Sequence, residues 1–447
     1  MDRGLGRVHL VGCGGVGMTG LTELLLHMGI PVSGSELRAD PTLDRLRRLG
    51  GTVHTGHDAS NVHGADTVVY STSIPDDHAE LVEARRLGLQ VLHRAEALAI
   101  AMRGHEVLAV AGTHGKTSTT AMAVAALGFD VPFVVGGEIT GIGNAGYGDG
   151  TFVVEADESD RSFLNFSPHA AIVTNIDSDH LDTYGDMAEL RDTFLEFCRR
   201  VSGFLVTCAD DPRCRDLAAR VDVPVHTYGL DPDADLRVTG LSSGVNGVRY
   251  RALLGGNHHE VELPVPGNHL GLNSAAALLA AVRLGRPVDT VVAGLAEYPG
   301  VGRRFELKGI GGGVRVYDDY ACHHTSMEAS LRTMRDLAGD GRLLAVCQPC
   351  RTYRLRDFQD EMAAALALAD QVVVTSVFAP AGPGPDGASL TRAVPLPSAA
   401  KSYVDDWSAV SDEVARRARP GDLVVTLGAP AVSAIADQIL DALRRSG

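Results

Sequence analysis

Residues 107–119 read Val-Leu-Ala-Val-Ala-Gly-Thr-His-Gly-Lys-Thr-Ser-Thr. The apolar run 107–110 predicts a strand buried on both faces, and the residues beyond 117 predict a helix. Between them lies a glycine loop ending in Gly-Lys-Thr. Gly112 stands only three residues before Gly115, closer than in the usual Walker loop, so this is a variant of it. The chemistry still fits a triphosphate. Backbone N–H groups of Gly112, Thr113, His114, Gly115 and Ser118 surround phosphate oxygens, Lys116 adds a point charge, and Thr117 can hold Mg2+. A strand–loop–helix unit of this kind places the chain in the α/β class.

Downstream, Glu155-Ala156-Asp157-Glu158-Ser159-Asp160 follows an expected strand at 152–155, and Asn175-Ile176-Asp177-Ser178-Asp179-His180 follows another at 171–175. Carboxylates at the C-terminal edge of a parallel sheet face the ligand crevice. Magnesium takes one or two carboxylates with phosphate oxygens and water, which marks Glu155. His180 offers a ligand for a second metal.

Upstream, Gly12-Cys13-Gly14-Gly15-Val16-Gly17 fits G-x-G-x-x-G between an expected strand (7–12) and helix (18–28). Glycines let the backbone approach a diphosphate at a helix N-terminus. Glu36 stands where a ribose-binding acid is expected. Alone, this turn reads as dinucleotide or nucleotide-diphosphate binding, and an NAD-dependent oxidoreductase is the rival. That rival leaves the Gly-Lys-Thr loop without a use. Two phosphate loops in separate segments point to a nucleotide-linked substrate plus a triphosphate.

The chain has 447 residues, enough for two or three domains, with 45% hydrophobic and 21% charged residues. A net charge of −16 argues against nucleic acid as the main partner. No apolar stretch reaches the roughly 18 residues a membrane span needs. No signal-peptide pattern opens the chain, so the expectation is a cytoplasmic protein, monomer or homodimer, with seven cysteines present as thiols. Strand and helix patterns fall in three segments, 1–104, 105–302 and 303–447. Further strands are expected at 67–70, 90–92, 107–111, 204–207, 314–317, 342–347, 371–375 and 423–427. Residues 229–262 read as β-rich and irregular, a helix is expected near 273, and 379–387 as a Pro/Gly loop.

With these motifs in order, the chain resembles the Mur ligase family along essentially its whole length. The family features are G-x-G-G-x-G-M, G-T-H-G-K-T-[TS]-T, E-A-D-E-S-D and N-x-x-x-D-H. Residues 12–18, 71–74, 92–94 and 157–161 favour the alanine-adding branch. The resemblance implies three α/β domains: a Rossmann-like UDP-binding domain, a central P-loop ATPase-like domain and a Rossmann-like C-terminal amino-acid-binding domain. It implies that a carboxylate of UDP-N-acetylmuramate takes the γ-phosphate of ATP, and that L-alanine or another amine then displaces phosphate to form an amide. It also implies roles. Gly14, Gly15, Val16, Gly17, Met18, Ser35, Glu36, Ser71, His93, Arg94, Asp157 and Ser159 serve the UDP substrate. His269 and Asn273 join the ATP site, and Thr117, Glu155 and His180 hold metal. Lys116, His180, Asp319 and Arg304 are the catalytic set, with Arg303 or Arg304 as a phosphate clamp. Tyr320, Cys322, His323, Cys350, Arg351 and Arg354 border the amino acid.

Departures from the family pattern cluster. Leu270 replaces an asparagine associated with adenine, and leucine neither donates nor accepts. Cys322 and Cys350 each replace a histidine in the expected amino-acid pocket. Two alternatives follow: a paralogue with a different amine or carboxylate in natural-product synthesis, and a nucleotide-binding regulator with a decayed ligase site. Cys347, Cys350, Cys322 and His323 also form a possible Zn2+ set, against the simpler reading of Cys347 as a small apolar strand residue.

Overall fold

Each of the three expected segments builds its own sheet. The computed structural model describes residues 4–39, 41–378 and 384–446. The first five residues of the expected 379–387 loop therefore lie outside the described residues.

The N-terminal sheet has five parallel strands in the order Thr52–Thr55, Val32–Glu36, Val8–Val11, Thr67–Tyr70, Gln90–His93. Strand order reverses at Val8–Val11. The crevice at such a reversal, outside the carboxyl ends of the strands, is where open α/β sheets bind ligands. The turn after Val8–Val11 is the glycine turn, and the helix Val16–His27 follows it.

The second sheet has ten strands. At its centre Val107–Ala111 lies between Phe152–Glu155 and Ala170–Val173, parallel to both. These central strands are buried along almost their whole length. That burial is why they read as continuous apolar runs and not as alternating ones. The helix Val16–His27 packs on the strands Phe133–Ile139 and Gly143–Gly146 of this sheet. Gly20 permits the approach, because a Cβ there would stand 3.2 Å from Val134. One continuous core accordingly runs from Leu10 and Leu21 to Val154 and Phe194.

Residues 229–262, expected to be irregular, are regular instead. They form the strands Leu236–Gly244, Gly247–Leu254 and Asn257–Leu263. Alternating burial along Leu236–Gly244 is the period-2 signature. Gly255 and Gly256, at φ +58° and +83°, close a two-residue hairpin turn. The helix expected near 273 starts earlier, at Asn268.

The third sheet has the order Glu306–Gly311, Val314–Asp319, Leu423–Gly428, Leu343–Gln348, Gln371–Val374, Lys401–Tyr403. Only its first pair is antiparallel. Its core joins Val316, Val346 and Val424 to Ile435 and Ile439 of the C-terminal helix. By compactness the chain divides into two units. The first is Met1–Thr239 with Arg251–Val261 and Leu272–Pro299; the second is Gly240–Tyr250 and Glu262–Gly271 with Gly300–Gly447. Among the described residues no helix is long and apolar enough to cross a membrane.

Candidate active site

In the first unit, strand register decides what meets what. Ala111 pairs with Val173, and Val110 with Glu155. The Gly-Lys-Thr loop, the acidic segment 155–160 and the segment 175–180 therefore leave the sheet at one level, side by side. The loop is shaped by glycines at positive φ, where a side chain is strained. Gly112 has φ +128°, and a Cβ on it would stand 2.1 Å from Thr174 Oγ1. Gly115 has φ +82° and lies under the Asn273 side chain, which a Cβ would meet at 2.9 Å. Gly115 caps the helix Lys116–Leu127 without a side-chain bond, leaving the helix N-terminus to face the loop. Asn175 braces the loop: its backbone carbonyl accepts from Thr113 N–H, and its Oδ1 accepts from His114 N–H at 2.9 Å. Asp177 Oδ2 stands 3.1 Å from His114 Nε2.

Lys116 Nζ lies 2.7 Å from Glu158 Oε2 and donates to the carbonyl of Gly112 at 2.9 Å. Burial opposes its charge, but Glu158, Asp157 and Glu155 outweigh that and hold it above the ordinary lysine range. Burial, with the charge of Asp157, pushes Glu158 up to about 8 against the pull of Lys116. The lysine therefore carries its charge, and the carboxyl facing it is the group that gives way. Burial also opposes the charge of Asp157, yet Lys116, the Ser159 N–H and Arg94 hold its carboxyl below the usual range. Beside them, Thr117 donates its hydroxyl to Glu155 Oε1 at 3.0 Å, and Gly136 N–H donates to Oε2 at 2.7 Å. A hydroxyl and a carboxylate at this spacing are a hard-oxygen pair that fits Mg2+. His180 adopts φ +56° at the start of the short helix Leu181–Tyr184 and adds to the positive field on Asp157.

The glycine turn of the first sheet reaches the same acidic segment. A Cβ on Gly17 would stand 2.4 Å from Arg94 Nη1, so the missing side chain makes room for that guanidinium. His93 caps the helix Arg94–Ala101 in a capping box with Glu96. Its Nε2 stands 3.1 Å from Thr72 Oγ1, which donates to Asp160 Oδ2 at 2.6 Å. Residues 71–74, 93–94 and 157–160 thus meet. Glu36 accepts from Gly14 N–H at 3.0 Å and so braces the turn. The side chain of Met18 is spent on the core, its N–H donates to the Gly15 carbonyl and its carbonyl accepts from Thr22 Oγ1, both at 2.8 Å. Ser35 is fully buried and donates to Glu80 at 2.7 Å, so its hydroxyl supports the sheet end. Sequence reasoning left Glu158, Thr72, Asp160 and Asn175 without individual roles. Their signal was membership of the two acidic strand-end motifs and of residues 71–74.

In the second unit, Arg303 and Arg304 both lie over the Tyr320 ring, at 4.9 and 5.0 Å from its centroid. Arg303 also pairs with Asp318 at 3.1 Å and donates to the carbonyls of Gly428 and Ala429, both at 3.0 Å. Asp319 is buried and accepts from Ser330 Oγ at 2.6 Å. Burial raises its carboxyl to about 6, against Ser330 and Arg304, which lower it. The His269 ring lies 5.1 Å from Phe305, and burial with the charge of Arg304 pushes it down to about 4. His323 caps the helix His324–Ala338 and packs against Phe358. Arg351, at φ +63°, precedes the helix Thr352–Leu366, and Arg354 lies over the Tyr353 ring.

The cysteines need a correction. Five of the seven are free, but Cys322 and Cys350, expected as thiols, form a disulfide with Cα atoms 5.7 Å apart. That separation is within the range a disulfide needs. With those sulfurs spent on each other, the possible Zn2+ set loses two ligands. Cys347 is buried in its strand, and burial pushes its thiol up to about 12.

Family models match the chain in three consecutive stretches: "Mur ligase family, catalytic domain" at residues 7–106, "Mur ligase middle domain" at 110–281 and "Mur ligase, glutamate ligase domain" at 303–430. The chain belongs to the Mur ligase family. Relatives include the UDP-N-acetylmuramate--L-alanine ligases of Salinispora arenicola, 56% identical over 99% of this chain and 90% of that one, and of Acidothermus cellulolyticus, 47% identical over 99% and 96%. The crystal structure of UDP-N-acetylmuramate-alanine ligase MurC from Thermotoga maritima is 26% identical, with a TM-score of 0.84 over 99% of this chain and 100% of that one. A murein peptide ligase from Psychrobacter arcticus shares the fold, with a TM-score of 0.73 over 98% of each chain at 24% identity. As a Mur ligase the chain carries the ATP-dependent, amide-forming chemistry of its family, which removes the oxidoreductase and regulator alternatives.

Proposed function

We propose that this ligase joins the carboxylate of UDP-N-acetylmuramate to the amino group of L-alanine in peptidoglycan precursor synthesis. Its relatives carry that name over nearly the whole chain. The observation that carries the reading is the adjacency of Lys116 and Thr117, at a helix N-terminus, to Glu155 at a strand end, beside a glycine turn roofed by Arg94. The domains span 1–104, 105–302 and 303–447. The protein works in the cytoplasm as a monomer or homodimer.

Bound Mg2+ would supply charge neutralisation at the ATP phosphates, with Thr117 and Glu155 as its oxygen ligands and His180 as a further one. Lys116 turns from Glu158 to the terminal phosphate and stabilises charge that grows in the transition state. Glycines 14, 15 and 17 with Arg94 receive the UDP diphosphate. Asp157 and Ser159 position the carboxylate-bearing end. Neutral His269 and Asn273 border the nucleotide. Arg304 clamps phosphate, while Arg303, tied to Asp318 and the carbonyls of Gly428 and Ala429, is a brace. Asp319, Tyr320, His323, Arg351 and Arg354 form the amino-acid side.

The test is phosphate release from ATP that requires both UDP-N-acetylmuramate and an amino acid, with the amide product identified by mass. No turnover across a full amino-acid panel defeats the proposal. Cys322, His324, Ser326 and Cys350 favour a second reading, a ligase with another amine. L-alanine outperforming every other amine in the same panel removes it.

A further inference from the structure

Cys322 and Cys350 are 28 residues apart and belong to different loops. Cys322 lies between the strand Val314–Asp319 and the helix cap His323, and Cys350 between Leu343–Gln348 and the helix cap Arg351. These two strands flank Leu423–Gly428 on opposite sides. The bond therefore bridges the end of the middle strand, above Ala429, with which the two cysteines form a small buried cluster. Its loops otherwise have separate anchors. Arg351 N–H donates to the Phe378 carbonyl, while His323 N–H donates to Ser326 Oγ. A chain this long, with a large buried core across its first two sheets and another in its third, does not need a staple to fold. The effect of the bond is local, on the loops that carry Tyr320, His323 and Arg351.

We infer that Cys322 and Cys350 are a reversible redox modification site that sets the rigidity of the amino-acid pocket. The inference rests on the pocket assignment made above. The oxidant is a low-molecular-weight disulfide, RS–SR. One cysteine thiolate attacks a sulfur of RS–SR and expels RS−. The second thiolate then attacks the mixed disulfide, closes the Cys322–Cys350 bond and expels the second RS−. The two thiol protons end on two RSH, and a dithiol runs the sequence backwards. Cys347 does not divert the exchange, because it is held inside the strand Leu343–Gln348, whereas Cys322 and Cys350, also buried, stand in loops that can open to admit RS–SR. Oxidised, the two loops are ordered before the amino acid arrives. Reduced, they are ordered on binding, which weakens capture.

The full-length protein is equilibrated with glutathione disulfide or with dithiothreitol, then denatured and alkylated with iodoacetamide. Five modified cysteines are expected after oxidation and seven after reduction. Hydrogen exchange in peptides covering 320–326 and 349–354 is expected to be slower in the oxidised form. The double variant C322A/C350A is expected to exchange at the fast rate in both conditions. The KM for the amino acid is expected to rise roughly threefold to tenfold on reduction while the KM for ATP stays level. Seven alkylated cysteines after oxidation, equal exchange in the two redox states, or an amino-acid KM blind to a bond that does form, each overturns the inference. If no amino acid supports turnover, the pocket assignment fails, and alkylation and exchange still decide whether the bond forms and ties the loops.

Discussion

Thr117 Oγ1 and Glu155 Oε1 stand 3.0 Å apart although 38 residues separate them, because the helix carrying Thr117 follows the strand Val107–Ala111, the neighbour of the strand that Glu155 ends. The Gly136 N–H fixes the other carboxylate oxygen at 2.7 Å, so the carboxylate cannot swing away from the hydroxyl. This pre-positioning predicts that Thr117→Ala and Glu155→Gln each raise the Mg2+ concentration for half-maximal phosphate release by about tenfold to a hundredfold. Thr117→Ser keeps the hydroxyl and restores most of the affinity. A Mg2+ titration at saturating ATP reads both effects. A midpoint unmoved in both variants removes this pair from the metal site.

Lys116 is charged beside Asp157, Glu155 and a Glu158 whose carboxyl is pushed up to about 8, and its ammonium has somewhere to go when phosphate enters. Lys116→Met removes that charge and leaves Glu158 without its partner. Phosphate release is expected to fall by roughly a hundredfold to a thousandfold. Stability is expected to fall little, because Glu158 takes up a proton more readily once the lysine is gone. Single-turnover kinetics alongside a urea melt separate the two.

Gly17 and Gly112 test two kinds of close approach. A Cβ on Gly17 meets the far end of a flexible arginine at 2.4 Å, so Arg94 moves aside. Gly17→Ala is expected to raise the KM for the UDP substrate with the melting temperature nearly unchanged. A Cβ on Gly112 meets Thr174 Oγ1 at 2.1 Å and its backbone N at 2.9 Å, at a φ of +128°. Gly112→Ala must distort the loop, at a cost of roughly 1–3 kcal/mol. It is expected to lower the melting temperature and abolish the stabilisation that ATP confers.

Asp319 contributes to the dependence of stability on pH. Its folded carboxyl titrates near 6, above the 3.8 of an unperturbed aspartate. Below pH 4 both folded and unfolded chains hold the proton, and the aspartate carries no penalty. As pH rises from 4 to 6 the unfolded chain releases its proton first, so stability falls with pH. Above 6 the penalty is constant, roughly 3 kcal/mol for a shift from 3.8 to about 6. Asp319→Asn still accepts from Ser330 and carries no charge. Urea melts are expected to show it more stable than the parent at pH 7.5 and equal to it below pH 4. Phosphate release is expected to drop roughly a hundredfold or more.

What could be read from sequence follows from burial. Thr67–Tyr70, Val107–Ala111 and Phe152–Glu155 were legible to the residue because they are runs of apolar side chains in sheet centres. Thr52–Thr55 and Lys401–Tyr403 were missed because they are short, half-exposed edge strands. Phe133–Ile139 and Gly143–Gly146 were hidden by glycines, which pack as strands here only because a helix presses close on them. Within the site, the glycine loops and acidic strand ends announced themselves through composition. The Lys116–Glu158 pair and the Thr72–Asp160 bond depend on register and side-chain direction, which no local pattern encodes. The Cys322–Cys350 bond was illegible for the same reason: two loops 28 residues apart meet only because a third strand inserts between theirs.

We propose that Leu270 bears on nucleotide choice. It is 3% exposed, and the adjoining Gly271 lies against Leu241 and Val248, so the start of this helix is apolar. A leucine there cannot tell the donor–acceptor edge of adenine from that of guanine. ATP and GTP are therefore expected to support phosphate release within about tenfold of each other, since a site without paired polar groups discriminates weakly. Leu270→Asn introduces a donor and an acceptor that cost roughly 1–3 kcal/mol when buried unpaired. The variant alone is expected to melt at a lower temperature than the parent. If adenine supplies the missing partners, ATP restores more of that loss than GTP does. Thermal shifts with each nucleotide measure the difference, and equal shifts would separate Leu270 from base recognition.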